Sequence, residues 1–141
     1  MDIKKEYGTS KELEKEGVWI EVGEDAKIRV CRANNKKYMK EIEKLSRPYK
    51  KQIRRGTISG EKFDSIVIEA SAKFILVDWE GIKEDGVIVD YTPEQSLRLL
   101  TDFPDFREVV SEIAMDFNNF KEEEIKESEG NLETTSSGPS E

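Results

Sequence analysis

The chain contains no histidine at all. That absence removes the commonest general base, the serine–histidine and cysteine–histidine nucleophile pairs, and nearly every recurrent zinc site. A single cysteine, Cys31, excludes an internal disulfide and sits in an alternating stretch where a small half-buried thiol is the ordinary occupant. Long apolar runs are missing too: no stretch approaches the roughly 20 residues that cross a bilayer. The start, Met1-Asp2-Ile3-Lys4-Lys5-Glu6, is polar where a secretory leader needs an apolar segment, so the expected location is the cytosol of the cell that makes the protein. Hydrophobic residues are only 35% of the 141, against 38% charged and a net charge of −8, so a core must be drawn from a few concentrated segments.

Those segments are present, and they predict an α+β, mainly α, fold: an N-terminal β-hairpin, a small helical bundle, and a disordered acidic C-terminal tail. Residues 1–17 form an arm, in which Thr9-Ser10 cap a short helix over Lys11–Glu16 that Gly17 closes. From Val18 the pattern alternates, with Val18, Ile20 and Val22 on one face, a turn over Gly23–Ala26, and Ile28 and Val30 on the matching face. This is a hairpin over 18–32, with Trp19 on its opposite side. A basic helical stretch, 35–55, carries Tyr38, Ile42 and Leu45 as one stripe and is broken or kinked at Pro48.

The most apolar stretch, Phe63 to Trp79, keeps helical spacing through Phe63, Ile66, Val67, Ala70, Phe74 and Val77, and predicts a buried helix over 61–80. Short pieces such as Phe74-Ile75-Leu76-Val77 are also compatible with strands; helix is preferred because Glu69 to Lys73 offer no turn. After Gly81 a turn over Lys83–Gly86 leads to the extended Val87-Ile88-Val89. Thr92-Pro93-Glu94-Gln95 then opens a helix over 93–100, with threonine as cap and proline in the first turn. Phe106, Val109, Val110, Ile113, Phe117 and Phe120 trace a further amphipathic helix, 104–127, whose end is solvated. The folded domain is thus 18–127, and residues 128–141 are too poor in apolar groups to offset ordering entropy, which predicts disorder.

No chemistry-bearing motif emerges. Gly56-Thr57-Ile58-Ser59-Gly60 lacks the Lys-Ser/Thr that would make it a phosphate loop. Asp78, Glu80, Glu84, Asp85 and Asp90 lack the ligand spacing of a calcium loop. Neither a catalytic residue, a metal site nor a cofactor is therefore expected. The basic segment 36–55, with Tyr38 and Tyr49 interleaved, is the kind of surface that can neutralise phosphate and stack bases. Glu41 and Glu43 interrupt it, the chain is acidic overall, and nothing matches a groove-reading motif, so nucleic acid is not the expected partner. A patch facing acidic groups of the chain itself or of a protein partner is at least as natural.

Phe74-Ile75-Leu76-Val77-Asp78-Trp79-Glu80-Gly81, an acidic turn, Tyr91-Thr92-Pro93-Glu94, Leu99-Leu100 and then Phe103-Pro104-Asp105-Phe106 occur in that order. Together they resemble the tail assembly chaperones of long-tailed bacteriophages, over roughly Ile58 to Phe120. The resemblance implies a non-enzymatic protein of the infected host's cytoplasm that keeps the tape measure protein soluble during tail assembly. The tail tube protein and a second copy of the chain are further candidate partners. Phe74, Asp78, Trp79, Gly81, Tyr91, Phe106 and Phe117 are the partner-binding candidates. The alternatives are a structural head-tail or tail component of the virion, or a small nucleic-acid regulator using segment 36–55.

Overall fold

A computed structural model describes residues 1–122. The arm holds two short helices, α1 (Ile3–Tyr7) and α2 (Lys11–Glu16). Their caps are local: the Asp2 carboxylate accepts from the Lys4 and Lys5 amides at 3.1 and 3.3 Å, and the Ser10 hydroxyl accepts from Leu13 at 3.2 Å. Only the second helix was anticipated. The first lacks any buried residue and owes its turn to the Asp2 cap.

The expected hairpin follows as β1 (Val18–Val22) and β2 (Ala26–Val30), antiparallel, with Val18 opposite Val30 and Ile20 opposite Ile28. The alternation works as read: Ile28 and Val30 are fully buried, and Trp19 lies outside with the Lys27 ammonium 4.8 Å above its ring.

Asn35 caps α3 (Lys36–Ser46), accepting from the Tyr38 amide at 2.9 Å, while its own amide nitrogen donates to the Phe74 carbonyl at 3.1 Å. Pro48 breaks the basic helix as expected, through a 3-10 turn over Arg47–Tyr49 into α4 (Lys50–Arg55), whose residues are all exposed. Ser59 then caps α5 (Gly60–Phe74).

Here the structure corrects the expected helix over 61–80. It ends at Phe74, and Leu76–Glu80 form strand β3, antiparallel to β2, so that the sheet runs β1-β2-β3. The register jumps between Arg29 and Val30: Val30 faces Leu76, whereas Arg29 faces Asp78. The unopposed Val77 is a bulge, and it allows Leu76 and Trp79, three apart, both to point into the core. A three-residue apolar step is the signature of a helix, and a bulged strand reproduces it. The unpaired edge of β2 supplies the competing force, since its amides and carbonyls need partners that a continued helix would not provide.

Beyond it, β4 (Lys83–Glu84) and β5 (Val87–Ile88) make a two-residue hairpin, with Asp85 and Gly86 both at positive φ (50° and 80°), the conformation that right-twisted strands favour. Thr92 caps α6 (Pro93–Asp102), two residues longer than expected. The last helix, α7 (Pro104–Met115), stops well short of residue 127. Asp116 is extended, and its carboxylate accepts from the Asn118 amide at 3.0 Å, capping a 3-10 turn over Phe117–Phe120. An aspartate that bonds its own backbone in this way ends a helix whatever the apolar stripe beyond it. Lys121 makes an extended bridge to Thr9 rather than continuing a helix. The helical run-out beyond Glu122 and the disordered tail lie outside the described residues.

The core is packed between the inner face of the sheet and helices α5, α6 and α7, with Ile28, Val30, Leu76 and Leu100 at its centre. The fold class is the expected one: a hairpin first, then mainly helices.

Candidate functional site

Four of the seven candidate residues lie in one place. Trp79, 4% exposed, points from β3 into the core, and its indole N–H donates to the Val89 carbonyl at 2.7 Å. The Tyr91 ring meets it edge-on, centroids 5.0 Å apart and planes at 80°. Leu76 is the next anchor on the strand: its carbonyl accepts from the buried Ser96 hydroxyl at 3.1 Å and from the Tyr91 hydroxyl at 3.5 Å. Burial and the nearby Asp78 carboxylate hold the Tyr91 phenol above its ordinary pKa, so it stays a neutral donor. Asp78 itself accepts from the Trp79 amide at 2.8 Å. The strand, the Val89 loop and the start of α6 are thus tied together by one aromatic pair and its polar rim.

Gly81 ends that unit for a reason the sequence only hinted at. Its φ is +81°, and a Cβ there would overlap the Asp25 carbonyl oxygen in the β1–β2 turn. The chain therefore crosses directly over the hairpin tip, and beside the crossing lies a cleft of about 500 Å³. Its walls come from the hairpin (Val22, Ala26), from the segment after β3 (Gly81, Ile82) and from α7 (Phe106, Val109). Val109 is 41% exposed, so part of its apolar surface already faces solvent.

Phe106 joins the cleft wall, but Phe74 and Phe117 do not. Phe74 lies at the other end of β3, half-buried beside α3, in a groove it shares with Lys37, Lys40 and Lys44. Phe117 packs against Tyr7 of the arm at 5.7 Å, with Lys121 over its ring. The stripe read as one helix face is divided between two surfaces because α7 ends at Met115. Val22, Ala26, Ile82 and Val109 are not among the partner-binding candidates read from the sequence. The alternation of β1 pointed to Val22 as an inward residue at a hairpin tip, but its proximity to α7 is a tertiary fact without a local signal.

Residues 33–131 match the family model described as YdaY prophage protein. The chain belongs to the YdaY prophage protein family. It is accordingly phage-derived, and the matched segment contains Trp79, Gly81, Tyr91 and all of α7 but begins after the hairpin that forms the opposite wall of the cleft. Comparison with curated proteins and with solved structures yields no match. No helix among the described residues is long and apolar enough to cross a membrane. Among them, too, no group of three or more cysteine, aspartate or glutamate side chains is arranged to hold a metal ion.

Proposed function

We propose that this member of the YdaY prophage family is a non-catalytic tail assembly chaperone, which holds apolar helical segments of a tape measure protein in the host cytoplasm until tube subunits enclose them. The observation that carries the reading is the cleft beside Gly81, walled by Val22, Ile82, Phe106 and Val109. A helix presents anchors at three- and four-residue steps, and a short, open apolar cleft suits one or two such anchors. A net charge of −8 keeps complexes with an aggregation-prone client soluble. Trp79 is buried and so makes no client contact, and Phe106 and Val109 on the cleft wall are the client-facing residues.

Co-expression with the tape measure protein of the same prophage tests this. The client should move into the soluble fraction and co-purify with the chain, and purified virions should lack the chain by mass spectrometry. A client no more soluble than when expressed alone, together with the chain among the virion proteins, would replace the chaperone by a structural tail component.

A further inference from the structure

Charge is strongly segregated along this chain, independently of the apolar cleft. Between residues 36 and 55 there are nine cationic side chains and two carboxylates, a local net of +7, so the rest of the chain carries −15. Among the described residues, Arg47 is the one cation of the nine that is ion-paired, to Glu43. Glu41 is engaged elsewhere, by Lys73 at 2.7 Å. Every residue of helix α4 is exposed. Such a ribbon of uncompensated charge is a surface for an anionic partner.

The structure also shows a route to that ribbon. The described chain ends beside the arm, where the Ser10 amide donates to the Phe120 carbonyl at 2.7 Å and Lys121 bridges to Thr9. From there a hollow rimmed by Lys11, Lys15, Lys36 and Lys37, with Glu14 in its wall held by Arg32 and Lys11, leads to α3. Lys37 is shared with the groove along α3 that continues past Lys40, Lys44 and Arg47, its two carboxylates, Glu41 and Glu43, each being paired to a cation. Residues 123–141 hold six glutamates and one lysine, a net of −5. Nineteen residues reach roughly 60 Å when extended, against about 16 Å for the length of α3.

We propose that the basic surface of α3 and α4 is the docking surface for the chain's own acidic segment, residues 123–141. Tethering supplies the affinity: a linked segment acts at millimolar effective concentration, enough for a contact built on several weak charge pairs. Nucleic acid fits the surface less well. Tyr38 packs against the core and the Tyr49 ring is covered by Lys62 at 5.0 Å, so neither offers a free stacking face, and the −10 carried by the rest of residues 1–122 repels a long polyanion. The contact makes the basic face selective, since an outside anion must first displace the tethered one.

A nitroxide on Ser137→Cys, in an otherwise full-length Cys31→Ala chain, tests the proposal by amide line broadening. At about 50 mM salt the amides of residues 36–47 should lose at least about half their intensity, and at about 500 mM, where the Debye length shrinks to a few ångströms, they should recover. Lys40→Glu with Lys44→Glu, both exposed, should abolish the effect. A chain ending at Glu122 should bind a fluorescent 20-nucleotide oligothymidylate at least about fivefold more tightly at low salt than the full chain. Broadening that is absent, or spread evenly over the surface, would overturn the proposal. So would equal oligonucleotide affinity of the two chains.

Discussion

Replacing Trp79 by phenylalanine keeps an aromatic ring in the core and removes two things: the indole N–H that meets the Val89 carbonyl at 2.7 Å, and the outer part of the ring that receives the edge of Tyr91. A carbonyl left without its donor in a partly buried site costs about 1–2 kcal/mol. The void left by the smaller ring adds roughly 1 kcal/mol, the lower range for partial core truncations. The sum, about 2–3 kcal/mol, converts to a fall in melting temperature of roughly 6–15 °C for a domain of this size. The measurement is thermal unfolding followed by far-ultraviolet circular dichroism. Tyr91→Phe, which gives up the long 3.5 Å contact to Leu76 and the hydroxyl's interaction with Ser96, serves as the control and should fall by less than about 4 °C. A Trp79→Phe midpoint within about 2 °C of the parent, or a loss no greater than that of the control, would refute the view that the indole bond ties the Val89 loop to the sheet.

Gly81→Ala should be more damaging than its one added methyl suggests, because φ is +81° and the Cβ meets backbone rather than a flexible side chain; a melting temperature unchanged by it would contradict the crossing described at the hairpin tip. Burial alone would raise the Glu14 pKa, but Thr9, Arg32 and Lys11 outweigh it and hold the carboxyl below its ordinary value of 4.5. The stability it contributes is therefore fully present above about pH 4.5 and is lost as pH falls through the lowered folded value, so Glu14→Gln should flatten that part of the acid-unfolding curve. Burial pushes the Cys31 thiol up to about 11, and its S–H donates to the Lys15 carbonyl at 3.2 Å. A thiol reagent at pH 8 should accordingly label Cys31 only on unfolding, and rapid labelling of the native protein would show the arm to be open.

Most of the architecture was legible in the chain because its signals are local. Ser10 and Thr92 each cap the helix they precede, and strict alternation placed Ile28 and Val30 inside the hairpin. The misread ends of the helices over 61–80 and 104–127 have one origin: apolar periodicity does not register a competing hydrogen-bond partner. At Ile75 the competitor is the open edge of β2, which claims Leu76–Glu80 as a third strand, and the bulge at Val77 disguises that strand as helix. At Asp116 it is a side chain that bonds its own backbone and divides the stripe of Phe106, Val109, Val110 and Ile113 from Phe117 and Phe120. The candidate site was legible to the extent that Asp78, Trp79, Gly81 and Tyr91 are gathered together. Its apolar walls were not, since Val22 and Val109 are far apart in sequence and line one cleft only in the folded chain.

Client binding at the cleft is tested most directly by calorimetric titration of the purified chain with synthetic helical segments of the prophage's tape measure protein at about 150 mM salt, where surface charge pairs are largely screened. The parent chain should bind at least one apolar segment, with a negative heat-capacity change that marks buried apolar surface. Val109→Glu, a substitution at a position already 41% exposed, should weaken that binding by at least about tenfold without lowering the melting temperature. Binding by Val109→Glu equal to that of the parent, or no binding of any segment by a parent chain shown to be folded, would contradict the account.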